Sequence, residues 1–305
     1  MGSIEEERDE YTVLVTGFAP FRDEYPANPS WEIASRLPAY LPAAALPSST
    51  ADQEGFPPVR IVVYPEPIRV AFRTVRDLVP KLWDGRTVKL SGGGAFTPPR
   101  RIDLMLHIGM AGPRLHYSIE RIGRRDGYRI ADVDDCLPTV DSTNRQWAWY
   151  GVPPSLESHL DLDDVLPRWR AAVAAVSPES PPDLRVSIDA GRYLCDFTYF
   201  SSLAHLYRRG RGDPVITNDQ VTLPDPDSRL RVAFLHVPAS AAPERIATGR
   251  AVVVELLRAL VASDLAARAM TQPVVVTAKR GKQRIVQADD DAPAAGVPTD
   301  KWYCD

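Results

Sequence analysis

Apolar positions fall into short continuous runs separated by longer stretches of helical spacing. Residues 12–16 (Thr-Val-Leu-Val-Thr) form an apolar-rich run closed by Gly17, the pattern of a buried strand. Runs at 59–64 (Val-Arg-Ile-Val-Val-Tyr), 102–108 (Ile-Asp-Leu-Met-Leu-His-Ile), 184–188 (Leu-Arg-Val-Ser-Ile) and 231–237 (Arg-Val-Ala-Phe-Leu-His-Val) predict further strands. Asn28-Pro29-Ser30-Trp31-Glu32 opens a helix, with Asn28 or Ser30 as N-cap and proline at an early position. Residues 69–83 predict a second helix with Val70, Val75, Leu78 and Leu82 inward, and another is expected around 164–176. Residues 193–208 carry a stripe of Tyr193, Phe197, Phe200, Ala204 and Tyr207. The longest helix is predicted over 243–268, burying Ile246, Val253, Leu257 and Leu260. Strands alternating with helices predict an α/β sandwich with a mostly parallel sheet. In such sheets reactive groups collect at the C-terminal ends of strands, where Gly17, Gly109, Asp189 and His236 stand.

Two stretches break the pattern. Ser91-Gly92-Gly93-Gly94 and Pro98-Pro99 mark an insertion at 91–101. Residues 131–166 are acidic, proline-containing and irregular, and hold Trp147, Trp149 and Tyr150; they read as a long loop packed on the domain. The pattern assigns residues 1–270 to a single domain. The segment 271–305, with Lys279, Arg280, Lys282 and Arg284 ahead of Asp289-Asp290-Asp291, reads as a mobile C-terminal tail.

Composition narrows the function. The 305 residues are 44% hydrophobic, enough for an ordinary core, and the 29 prolines fit long irregular connections. A formal net charge of −4 argues against a nucleic-acid binder. The acidic, polar start is not a signal peptide, and no apolar stretch has the length of a membrane span. Cys136, Cys195 and Cys304 lie too far apart for a disulfide framework or a metal-ligand set, so the expected compartment is the reducing cytosol. Gly92–Gly94 lacks the Gly-Lys-Ser/Thr of a phosphate loop, and no Gly-x-Gly-x-x-Gly follows a strand. The cluster Arg121, Arg124, Arg125 and Arg129 reads as a solvated or salt-bridged face.

Three residues have the chemistry for nucleophilic catalysis. Cys195 stands at a helix start, where partial positive charge and free N–H groups lower a thiol pKa and stabilise an oxyanion. A helical cysteine is equally at home as a small buried hydrophobe. His236 at a strand end can relay a proton, and so can His107 at a similar end; spacing does not choose between them. Glu120 can orient an imidazole, or pair with Arg121.

Taken as an ordered set, four blocks resemble the pyroglutamyl-peptidase I family. They are Val13–Phe21 with Asn28–Glu32, His107–Gly112 with Ile119–Arg121, Ala190–Cys195, and Phe234–Pro238. The resemblance implies a three-layer α/β/α sandwich of phosphorylase/hydrolase-like type. It implies a Cys195–His236–Glu120 triad, no cofactor and no metal, and a peptide with N-terminal pyroglutamate (5-oxoproline) as substrate, with neither nucleic acid nor membrane as partner. Phe18 and Phe21 would hold the lactam ring, the Met110 main chain would read its N–H and C=O with Asn28 steadying that loop, and Arg129 would polarise the scissile carbonyl. The chain departs from the family pattern at Arg22-Asp23, Met110, Ile188-Asp189 and Ala239, and Asp189 would oppose thiol ionisation if it points inward. Two other readings stay open: a related cysteine hydrolase of another small acyl or lactam group, and a non-catalytic member that binds a partner through the pocket or through Trp147 and Trp149. Oligomeric state is not encoded in these features.

Overall fold

The computed structural model describes residues 10–21, 25–43, 57–138, 149–212, 215–217, 220–222 and 229–271. In chain order the first half is β1 (Tyr11–Thr16), α1 (Pro29–Ala34), β2 (Tyr40–Leu41), β3 (Val59–Val63), α2 (Phe72–Trp83), β4 (Val88–Lys89), β5 (Ala95–Phe96), β6 (Leu104–Met110) and β7 (Tyr117–Glu120). The second half is β8 (Ile122–Arg124), β9 (Ser155–Glu157), α3 (Leu162–Val176), β10 (Leu184–Ser187), α4 (Leu194–Gly210), β11 (Val215–Thr217), β12 (Gln220–Thr222), β13 (Val232–Val237) and α5 (Pro243–Thr271). The segment read as a tail, along with Trp147, Arg22 and Asp23, lies outside the described residues.

Seven strands form one sheet in the order β10-β7-β13-β6-β1-β3-β2. β1 pairs in parallel with β3 and β6, β6 with β13, and β7 with β10. The antiparallel contacts are β13 with β7 and β2 with β3. The sheet is therefore mixed and mostly parallel, with helices on both faces, the expected three-layer sandwich.

Alternation along the buried strands sends side chains to two cores. Val13, Val15, Leu106, Ile108, Ile119 and Leu235 lie in the cluster that also holds Ile33 of α1, Trp169 of α3 and Leu256 of α5. Leu14, Met105, Val232 and Phe234 lie in the other, with Phe72 and Leu82 of α2 and Phe197, Phe200 and Leu203 of α4. All five predicted strand runs and all five helices form. In the seven-stranded sheet periodicity announced neither β2 nor β7, whose two and four residues are too few for alternation to stand out, and β9 falls inside the stretch read as loop. β7 is the one that matters for the site. It carries Glu120.

Two of the helix starts, those of α1 and α3, are capped by their own residues. Asn28 caps α1 by accepting from the Ser30 N–H at 3.1 Å, with Pro29 in the first turn. Asp161 caps α3 through the N–H groups of Asp163 and Asp164. α2 begins at Ala71, which has no side-chain acceptor, and borrows one: Asp132 Oδ2 accepts from Phe72 N–H at 2.8 Å. The other oxygen of Asp132 accepts from the N–H groups of Asp134 and Cys136. One carboxylate thus folds the turn after residue 131 and docks it on α2. In α4 the N-cap residue, Tyr193, makes no side-chain capping bond.

Asp132 sits below the ordinary carboxylate range: desolvation pushes it up, but the three backbone N–H groups and Arg69 pull it further down. A depressed folded value means its contribution is complete above the unfolded value of about 3.9 and is lost as pH falls through the folded one. Asp132→Ala is expected to lower stability at pH 7 by about 1–2 kcal/mol, read as a reduced urea midpoint at unchanged slope. The gap from wild type should narrow in acid.

Candidate active site

β6 and β13 end side by side, next to the start of the antiparallel β7, and the first turn of α4 lies against them. His236 stands opposite Gly109 of β6 and Ser118 of β7. Side chains at matched positions leave the same face of a sheet, and Glu120, two residues beyond Ser118, shares that face. His236 Nδ1 and Glu120 Oε1 are 2.7 Å apart, and both side chains are buried. A carboxylate at Nδ1 fixes the tautomer with the proton there and leaves Nε2 as acceptor.

Gly109 supplies the remaining approach. A Cβ on it would lie 2.8 Å from Cys195 Sγ and 2.7 Å from Phe234 Cζ. The thiol therefore rests over bare strand backbone at the position that faces His236 in the ladder. No hydrogen bond joins Sγ to His236 among the described residues. The α4 start leaves first-turn N–H groups without a capping side chain, beside this thiol.

His107 lies on the same face but is engaged elsewhere. Its Nδ1 is 2.7 Å from Thr16 Oγ1 and its Nε2 is 2.7 Å from Ser202 Oγ, which also accepts from Trp83 Nε1 at 3.2 Å. Burial pushes its pKa down to about 3. Both ring nitrogens are committed to a neutral internal chain, so His107 has none to offer a thiol.

The charges near the nucleophile differ from those that sequence proximity suggested. Packing pushes the Cys195 thiol up to about 12, although the residue keeps some exposure; Glu120 and then Asp196 add to the rise, against Arg114 and the residue's own N–H. Asp189 is not among these influences. Its side chain is 65% exposed, accepts from Gly191 N–H and lies 3.9 Å from Arg124. The acid that opposes ionisation from α4 is Asp196, the residue after the cysteine. It is fully buried and accepts from Arg124 N–H at 2.9 Å. Burial raises it to about 6, against Arg124 and Arg192.

The residues expected to hold a substrate divide. Phe18 is buried and its ring centroid is 6.5 Å from that of Phe234, which is 5.0 Å from His236. Phe21 is half-buried and lies 6.3 Å from Tyr193, two residues before the cysteine. Asn28 steadies a loop, but not the one at Met110: its Nδ2 donates to Ala19 O at 3.0 Å, and its Oδ1 accepts from Ser30 Oγ, whose oxygen in turn accepts from Phe18 N–H. Gly17 permits this, because a Cβ there would come within 2.8 Å of Ser30 O. Met110 ends β6 opposite Val237, and the following Ala111 N–H bonds Val237 O. Arg129 is exposed and makes no hydrogen bond or ion pair among the described residues. The arginine that reaches Glu120 is Arg114, whose Nη1 lies 2.6 Å from Oε1. Sequence reasoning missed Arg114, Asp196 and Tyr25, whose hydroxyl lies 3.0 Å from where a Cβ on Gly112 would be. Adjacency to the cysteine would have exposed Asp196; nothing periodic marks the other two.

Comparison with known proteins gives a consistent assignment. Pyroglutamyl-peptidase 1 of Rattus norvegicus is 30% identical over 237 residues, 78% of this chain and 83% of that protein. Pyroglutamyl-peptidase 1 of Homo sapiens is 30% identical over 203 residues, 67% of this chain and 78% of that one. The crystal structure of Bacillus amyloliquefaciens pyroglutamyl peptidase I shares the fold, with a TM-score of 0.52 at 20% identity over 83% of this chain and 97% of that one. No protein-family model matches the chain.

Asp196→Asn keeps an acceptor for Arg124 N–H and removes the charge beside the thiol. With Cys136 and Cys304 replaced by Ser, the pH midpoint for iodoacetamide alkylation of Cys195 is expected to fall by about one unit. An unmoved midpoint would show that the thiol does not feel this carboxylate.

Proposed function

The chain belongs to the pyroglutamyl-peptidase I family, and from this premise we propose that it is a cysteine omega-peptidase in which Cys195, His236 and Glu120 release an N-terminal pyroglutamyl group from peptides. The observation that carries the assignment of roles is the 2.7 Å pair of His236 Nδ1 and Glu120 Oε1 on the sheet face where Cys195 Sγ overlies Gly109.

The raised thiol pKa sets the order of events. At neutral pH Cys195 rests as a thiol, so its proton passes to His236 Nε2 as sulfur attacks the scissile carbonyl. Uncapped N–H groups of the first turn of α4 receive the oxyanion. His236 then gives the proton to the leaving amine, the C–N bond breaks, and a thioester remains. Water attacks that thioester as His236 takes one of its protons, free pyroglutamate leaves, and the thiol is restored. Glu120 keeps the imidazole in the required tautomer and balances the imidazolium.

The uncharged five-membered lactam suits an aromatic enclosure. Phe18 and Phe21 would flank it, and the Met110 main chain would read its N–H and C=O. With Arg129 exposed, polarisation of the carbonyl falls to the α4 N–H groups. A reducing compartment, the cytosol, suits this chemistry, since Cys136 and Cys195 are both free thiols. Among the described residues no helix is long and apolar enough to cross a membrane.

A fluorogenic pyroglutamyl amide tests the reading. Wild type should turn it over, and Cys195→Ala and His236→Ala should each lose at least about 1,000-fold in kcat/KM. His107→Asn should lower thermal stability while keeping activity within about tenfold of the wild type. An inert wild type whose Cys195 still alkylates readily would point instead to another small acyl or lactam substrate.

A further inference from the structure

Glu120 has no exposed surface, and burial of a lone carboxylate is strongly unfavourable. Its Oε1 accepts from two donors, His236 Nδ1 at 2.7 Å and Arg114 Nη1 at 2.6 Å, and its Oε2 has no hydrogen-bond partner among the described residues. Arg114 is thus the permanent cation on this carboxylate. The same guanidinium reaches two other elements: Nη1 donates to Ser118 Oγ at 2.6 Å, and Nη2 donates to Asp189 O, also at 2.6 Å. Asp189 begins the loop that delivers Cys195. One planar group, on the turn between β6 and β7, therefore ties the acid strand to the nucleophile loop.

We propose that Arg114 is a positioning residue of the catalytic site: it holds Glu120 oriented towards His236, and it fixes the Asp189 end of the loop that presents Cys195. The proposal rests on the triad reading above and adds to it a fourth side chain.

Arg114 Nη1 lies 3.5 Å from His236 Nδ1, and both donate to Glu120 Oε1. The guanidinium also favours the Cys195 thiolate, which Glu120 opposes. The other charged or titratable groups facing the site are Asp196 and Tyr199 of α4, with His116 on the same turn as Arg114 and Arg124 and Asp189 on the rim. None of these bridges the carboxylate to the loop.

The geometry distinguishes charge from shape. Lysine keeps the charge but cannot make a planar fork to three acceptors, whereas methionine removes both. Arg114→Met should lower kcat/KM on the pyroglutamyl amide by about 10- to 100-fold. The midpoint for Cys195 alkylation should move to higher pH, by about one unit. Arg114→Lys should leave that midpoint near its wild-type position and still lose rate. A simple loss of folded protein would reduce the amplitude without moving the midpoint, and a urea midpoint on each variant reads that loss separately. An unmoved alkylation midpoint in Arg114→Met, or activity within about threefold of wild type, would overturn the proposal. Alkylation needs no substrate, so the role of Arg114 is decided by its midpoint even if wild type proves inert on pyroglutamyl amides, an outcome that would sink the substrate assignment alone.

Discussion

A carboxylate with no exposed surface ends strand β7, and the arrangement around it follows from the need to keep it charged there. Glu120 meets that need with one oxygen, which accepts from both His236 and Arg114. Each partner is then fixed in turn. His236 has its tautomer set by the bond it donates, and Arg114 is drawn across to the carbonyl of Asp189. The backbone of the same strand is held as well, because Tyr199 of α4 donates its hydroxyl to Glu120 O at 3.0 Å. Loss of the carboxylate would leave a half-buried guanidinium without its anion and an unoriented imidazole, so Glu120, His236 and the loop that carries Cys195 form one unit rather than three separable parts.

The thiol sits in a setting that holds it neutral. Packing against Phe234 and the bare backbone of Gly109, with Glu120 and Asp196 close by, pushes it well above the ordinary thiol range. A helix start alone would do the opposite. The balance goes to burial and the two carboxylates because each acts at short range through a poorly hydrated site. A resting thiol is also less open to oxidation than a standing thiolate. In the proposed mechanism reactivity then depends on proton transfer to His236 in the act of attack, which makes the orientation of that ring by Glu120 the step on which that mechanism turns.

Particular residues show where local reading fails. Asp189 looked like the acid that would burden the nucleophile, since it precedes the helix by a few positions. Its loop turns it outward to 65% exposure, while Asp196, carried inward by the first turn of α4, bears on the thiol. Arg129, which the family resemblance offers for the scissile carbonyl, is exposed, and the arginine on Glu120 is Arg114, from a turn with no regular pattern. In both cases the deciding quantity was side-chain direction, which neighbouring residues in sequence do not share. His107 and His236 read alike in sequence, yet β6 runs on to Met110 and leaves His107 in mid-strand, two positions short of the Gly109 that faces His236. Their partners, Thr16 of β1 and Ser202 of α4 for one and Glu120 of β7 for the other, tell them apart.

The sequence by itself determined five strand runs and five helices, and it narrowed the first helix cap to Asn28 or Ser30. Each of these is set by residues within one or two turns of chain, where spacing and capping act directly. It also determined the order of four blocks that marks the family. The tertiary structure decided that β7 is a strand, that Asp132 caps a helix 60 residues before it, and that Glu120 meets His236 across 116 residues of chain. The Glu120–His236 contact arises from strand order, which sets β7 beside β13. Such partners are chosen by the packing of the whole sheet, and no local pattern records them.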